Sequence, residues 1–195
     1  MTQDARTMAD ASPGRRPPVD RMPEVRRPEV GARDGRPWLL ALSALIILLD
    51  RVTKQWVSHH LEVGDSIPII PNIFRISHVL NPGAAFSLFT ESSSPQSVRL
   101  MLVGFSIVAA LVVTYFLVKM GRRLTPTTVA LGLVLGGAIG NVYDRIRYGT
   151  VIDFLEVHIV NYHWPDFNVA DSAIVVGALL LLLDAFRGNK NPSAS

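Results

Sequence analysis

Three aspartates in residues 136–171 offer acid-base chemistry: Asp144 near the end of GGAIGNVYDR, Asp153 in VIDF and Asp171 in FNVADSAI. They sit between two long apolar runs, where an ionisable side chain costs several kcal/mol unless it is paired or used. Two carboxylates held within about 3 Å cannot both ionise, so one keeps a proton while the other stays basic. The charged member of such a pair can deprotonate a water while the protonated member polarises a carbonyl, and their apparent pKa values belong to the pair. Asp153 and Asp171 are the candidates, because each begins or borders an apolar segment whose partial desolvation helps keep one proton bound. Asp144 adjoins Arg145 and follows Asn141 by one helical turn. A carboxylate neutralised by an arginine makes a poor acid, so its reading is structural. Asn141 and Asn168 carry amide donors and an acceptor that can orient the aspartates or bind a peptide backbone. Asn168, just before the last apolar run, also suits a helix cap.

The elements that must position these groups are helical and apolar. Of 195 residues, 49% are hydrophobic and the mean hydropathy is +0.30, which places the chain with membrane proteins. Four spans are expected, at about 37–57, 98–118, 126–143 and 169–186. In the first, Asp50 and Lys54 are four residues apart and share a helical face. The third carries Gly132, Gly136, Gly137 and Gly140, small residues that let neighbouring helices approach closely, as a central helix requires. Between spans one and two, Pro68 and Pro71 break the run, and Phe74, Ile76, His78 and Leu80 then alternate. That pattern predicts short strands on the membrane surface and a turn at Asn81–Pro82–Gly83.

The expected fold is therefore an all-α membrane domain, residues 37–187, with four transmembrane helices and a small β part. Arg33 and Arg36, then Lys119, Arg122 and Arg123, then Arg187 and Lys190 all fall on one side of a four-span bundle. The positive-inside rule makes that side cytoplasmic, with both termini inside and with residues 58–98 and 144–168 outside. Residues 1–36 hold 8 Arg, 6 acidic residues and several prolines, and read as a disordered cytoplasmic tail; residues 188–195 form a second tail. Trp38, Trp56, Tyr148, Tyr162 and Trp164 fall near span ends and read as interfacial anchors.

A net charge of +3 and a pI near 9.6 do not point to nucleic acid, because the basic residues flank apolar runs instead of forming one stripe. With no cysteine there is no thiolate nucleophile, disulfide or cysteine metal site. His59, His60, His78, His158 and His163 lack an HExxH-type helical spacing, so no metal site and no cofactor are expected. Two other readings stand beside a catalytic pair. A small transporter or proton relay needs polar residues through the bilayer depth, and spans two and four have uncharged middles. A noncatalytic scaffold would use the same Asp, Arg and Asn side chains only to pack helices.

Five strings, DRVTK at 50–54, NPGAAFS at 81–87, GGAIGNVYDR at 136–145, VIDF at 151–154 and FNVADSAI at 167–174, stand in this order around four spans. Together they resemble the lipoprotein signal peptidase (signal peptidase II) family over about residues 37–187. The resemblance implies a bacterial inner-membrane aspartyl protease that cuts the signal peptide from prolipoproteins just before a diacylglyceryl-modified cysteine, and that globomycin-type inhibitors block. It implies that Asp153 and Asp171 are catalytic and that Asp144 is a supporting residue. Asn141, Arg145 and Asn168 would shape the site, Asn81 would help hold substrate, and Gly83 and Ala170 would lie beside it. Asp50 and Lys54 would brace the pocket from span one. The family fold also implies an outer β-cradle and an outer helix near the loop between spans three and four. A monomer is expected, with the lipidated signal peptide and membrane lipid as partners and a site near the outer leaflet. The Arg/Pro tail before residue 37 exceeds the family's usual short start.

Overall fold

The computed structural model describes residues 34–83, 94–160 and 162–188. Most of the expected N-terminal tail, the end of the C-terminal tail and the latter part of NPGAAFS lie outside the described residues. The described elements run α1 (Arg36–His60), β1 (Ser66–Ile70), β2 (Phe74–Asn81), α2 (Pro95–Met120), α3 (Pro126–Tyr148), β3 (Val151–Ile159), β4 (Tyr162–Phe167) and α4 (Val169–Gly188).

Each helix has a local reason to begin where it does. Pro37 lies in the first turn of α1, where a missing N–H costs nothing. Thr125 caps α3 in a reciprocal box with Thr128, and Gly149 closes that helix in the left-handed region at φ 86°, donating its N–H to Arg145 O. The buried stripe of α1, Leu39, Ser43, Asp50, Lys54 and Val57, follows helical periodicity and turns apolar residues and then charges toward α3.

Helix α3 packs against α1, α2 and α4 and is the most enclosed, while α2 and α4 turn mostly outward. Its glycines serve two interfaces. A Cβ at Gly136 would stand 2.9 Å from Ser43 O of α1, and one at Gly137 would stand 2.3 Å from Ala170 O of α4. Ser43 Oγ donates to Gly132 O at 2.7 Å, so α1 and α3 meet through backbone as well as side chains.

Among the described residues, three helical segments are long and apolar enough to cross a membrane: Gln96–Met120, Pro126–Tyr148 and Val169–Arg187. Helix α1, the first of the four expected spans, is 25 residues long, but Asp50, Arg51 and Lys54 occupy its second half. Its crossing therefore depends on how those charges are met.

The four strands form one antiparallel sheet in the order β1-β2-β3-β4. Helices dominate, yet a sheet of this extent makes an all-α class too narrow. The expected strands of residues 67–80 are present as β1 and β2. The outer helix expected between spans three and four is not found among the described residues there, which form β3 and β4. The reason is compositional: VIDFLEVHIV is rich in β-branched residues. Pro165 is tolerated because β4 is an edge strand. Val57, Leu61 and Phe154, with Ile76, Leu155 and Val169, form an apolar cluster that seats the sheet between the end of α1 and the start of α4.

Candidate active site

The seam between sheet and helices collects the polar residues of the five sequence strings. β3 supplies Asp153, which is 2% exposed. Helix α4 supplies half-buried Asp171 in its first turn. Asn168 precedes that helix and works in two directions. Its Oδ1 accepts the Asp171 N–H at 2.9 Å while Asp171 Oδ2 accepts the Asn168 N–H at 3.3 Å, which is a capping box. Its Nδ2 donates to Asp153 Oδ1 at 2.7 Å. The cap and the site-orienting reading of Asn168 are thus both fulfilled by one side chain.

Asn81, at the end of β2, donates from Nδ2 to Asp153 Oδ2 at 2.9 Å, while its Oδ1 accepts the Gly83 N–H at 2.8 Å. Asn141 of α3 donates from Nδ2 to Asp171 Oδ1 at 2.7 Å, and its Oδ1 lies 3.3 Å from both Lys54 Nζ and Asn168 Nδ2. Both aspartates are therefore held by amide donors, and Asn141 and Asn168 link one to the other. Burial, then the charge of Asp171, push the Asp153 carboxyl up to about 6, against bonds from Asn81 and Asn168 that favour its charged form.

Behind this pair lies a charged layer. Lys54 is fully buried, with Nζ 2.8 Å from Asp50 Oδ2 and 2.7 Å from Asp144 Oδ2. Asp50 Oδ1 accepts the Ala170 N–H at 3.1 Å and so satisfies another donor at the start of α4. Asp144 pairs with Arg51 and Lys54 of α1, which corrects the expectation that its neighbour Arg145 neutralises it. Consecutive helical residues point about 100° apart, so adjacency in sequence does not make them partners. Arg145 instead lies within electrostatic reach of Asp171, Asp153 and Asp144, and its buried Nε has no hydrogen-bond partner among the described residues. Four carboxylates, Asp50, Asp144, Asp153 and Asp171, face three cations, Arg51, Lys54 and Arg145. One proton would remove the uncompensated charge, which is the condition an acid-base pair needs.

Asp171 opens on an apolar cavity of about 330 Å³ lined also by Trp164, Phe167, Ser172, Val175 and Val176. The arrangement can position a water or carbonyl against the aspartates and receive an apolar chain beside them.

Two residues that support the site were not singled out in the sequence. Arg51 pairs with Asp144 and stacks its guanidinium 4.5 Å from the centre of the Tyr143 ring. Arg99 of α2 donates from Nε to Arg145 O at 2.7 Å and from Nη2 to Ile146 O at 2.8 Å, tying down the last turn of α3. Arg51 was visible beside Asp50 in DRVTK. Arg99 carries no local signal, since its partners are backbone carbonyls far away in sequence. The histidines, set aside for want of helical spacing, include a pair brought together by strands: His158 and His163 are direct partners across β3 and β4, beside Glu156.

A family model described as signal peptidase (SPase) II matches residues 42–187. A lipoprotein signal peptidase of Pseudomonas fluorescens (strain Pf0-1) is 44% identical over 168 residues, covering 86% of this chain and 98% of the relative. One of Syntrophus aciditrophicus (strain SB) is 41% identical over 155 residues, covering 79% and 95%. A solved bacterial membrane enzyme superimposes with a TM-score of 0.74 at 25% identity, over 85% of this chain and 97% of that one.

Proposed function

The chain belongs to the signal peptidase II family, and from that premise we propose that Asp153 and Asp171 are the aspartyl dyad with which this membrane hydrolase cleaves lipoprotein precursors. The observation that carries the assignment is the amide bridge: Asn168 and Asn141 hold both carboxylates at one seam, with Asn81 completing the shell of Asp153.

In this reading Asp153 is the acid, because burial raises its carboxyl to about 6, and Asp171, beside the cavity, acts as base. A water attacks the scissile carbonyl carbon as Asp171 takes its proton and Asp153 gives its own to the carbonyl oxygen. Collapse of the tetrahedral intermediate breaks the C–N bond. The proton on Asp171 then passes to the departing nitrogen, and the hydroxyl proton returns to Asp153. Arg145, whose Nε has no hydrogen-bond partner among the described residues and which lies within electrostatic reach of both aspartates, offers a donor to a substrate carbonyl.

The substrate is a prolipoprotein whose signal helix lies in the bilayer and whose diacylglyceryl-modified cysteine follows the scissile bond. The apolar cavity beside Asp171 supports lateral delivery from lipid. Helix α1 serves as a fourth span, since Asp50, Arg51 and Lys54 are compensated by Asp144 and by the start of α4. The flanking arginines and lysines then set both termini in the cytoplasm and the dyad near the outer leaflet of the bacterial inner membrane. A monomer suffices, because one chain supplies every residue named in the site, and a globomycin-type inhibitor would occupy the same cavity.

The test is a gel-shift assay with a diacylglyceryl-modified prolipoprotein. Asp153→Asn and Asp171→Asn are each expected to lose about 10⁴-fold or more in cleavage while remaining folded in the membrane. Normal processing by either variant would sink the dyad.

A further inference from the structure

The sheet carries a second cluster of ligating groups that the dyad does not use. Glu156 and His158 are two apart on β3 and so share a face, and His163 is the direct partner of His158 on β4. The two imidazole rings stack with centroids 4.8 Å apart. His158 Nε2 lies 2.6 Å and His163 Nε2 3.5 Å from the same oxygen, Glu156 Oε1. Ligand atoms from the three residues all fall within 4.8 Å of one another.

We propose that Glu156, His158 and His163 bind a divalent transition-metal ion of the zinc class on the β3–β4 hairpin. The donor set selects the ion: two imidazoles and one carboxylate suit a borderline metal such as Zn²⁺ and disfavour Ca²⁺ or Mg²⁺, which prefer all-oxygen shells. The size is right. Zinc bonds of about 2.0–2.1 Å in tetrahedral array set ligand atoms about 3.4 Å apart, near the 3.5 Å between His163 and Glu156. The closer His158 contact, at 2.6 Å, opens by less than about 1 Å to reach that separation.

Access and charge also fit. The His163 side chain is 52% exposed and that of His158 30%, so the ion can arrive from solvent. Asp166 Oδ1 stands 3.9 Å from His163 Nε2 and adds a second carboxylate, itself held by Ser77 Oγ at 3.4 Å. Arg75 opposes the ion: its Nη1 lies 3.8 Å from Glu156 Oε1. Its side chain is 43% exposed and can swing away as the cation arrives.

The hairpin is also the covalent link between the dyad residues, with Asp153 at one end and Asp171 just past the other. A metal clamped across it would tie together the two strands that position them.

The test uses the full chain in detergent, purified without a histidine tag. Co²⁺ serves as a spectroscopic stand-in for tetrahedral zinc, and Zn²⁺ is titrated by calorimetry. One ion per chain is expected, with a raised melting temperature that Ca²⁺ does not produce. His158→Gln and His163→Gln keep a polar contact to Glu156 and are each expected to weaken Zn²⁺ at least tenfold. Arg75→Ala should tighten it, and the double change His59→Ala with His60→Ala should leave it unaltered. Zinc affinity unchanged in both Gln variants, no saturable Zn²⁺ binding by the unmodified chain, or loss of binding in the His59/His60 variant would overturn the site.

Discussion

Asp153→Asn tests the electrostatics of the site as well as its chemistry. The Asp153 carboxyl is pushed from its ordinary 3.8 to about 6, first by burial and then by the negative charge of Asp171. Because the folded value lies above the unfolded one, its contribution to stability is fully present below pH 3.8 and is lost as pH rises through about 6. At about 1.36 kcal/mol per pH unit, that difference is worth about 3 kcal/mol. An asparagine at 153 does not titrate, so the variant lacks this dependence. It does carry a fixed penalty. Asn81 Nδ2 and Asn168 Nδ2 each donate to one oxygen of Asp153, and an amide offers a single oxygen, so one donor would face another donor. That mismatch costs about 1–3 kcal/mol at every pH.

Two effects of similar size are thereby separated by their pH dependence. Melting curves of both proteins in detergent between pH 4 and 8 are the assay. Moving from pH 8 to pH 4 should favour the unmodified chain over Asp153→Asn by about 2.5 kcal/mol, most of the full difference, or about 5–10 °C for a chain of this size. A melting-point difference that stays flat across that range, or that changes in the opposite direction, would refute the account of a desolvated, proton-holding carboxyl.

Lys54→Met should be among the most damaging changes in the chain. It leaves Asp50 and Asp144 buried without their shared cation, at a cost of about 3–5 kcal/mol; a melting temperature within 2 °C of the unmodified chain in detergent would contradict it. Asn168→Asp separates the cap from the site. Aspartate caps a helix about as well as asparagine, so the start of α4 should hold, as amide exchange would report. The variant loses the donor to Asp153 and sets a new carboxylate against it, so cleavage should fall by about 10²-fold or more. Retained cleavage would show that the Asn168 bridge is dispensable.

Legibility from sequence followed the range of each interaction. Asp50 and Lys54 were readable as a pair because four residues is a helical contact distance, and they meet at 2.8 Å. The glycines of α3 were readable as close-packing positions, although they divide between two neighbours, α1 and α4. Asp144 stands beside Arg145 in sequence, but its partners Arg51 and Lys54 lie on another helix, which no local window displays. The resemblance implies an outer helix near the loop between spans three and four, where β3 and β4 form instead, so the register that sets His158 opposite His163 is not legible in the sequence. Sheet partners are fixed by pairing that no local window displays.

The start of α4 shows how a carboxylate can be held at the end of an apolar helix. A helix N-terminus presents unpaired N–H groups and a partial positive charge. Here Asp50 takes the N–H of Ala170, Asn168 takes that of Asp171, and Asp171 returns the bond to Asn168. The residues that cap the start of the helix are therefore the residues that carry and orient the proposed acid-base pair. A carboxylate at this point is stabilised by backbone before any cation is counted, which lets three cations serve four acids. The same economy couples folding to activity. A substitution that frays the first turn of α4 shifts Asp171 and releases Asn168 from Asp153, so stability and cleavage should fall together unless, as with aspartate at 168, the cap is kept and the donor alone removed.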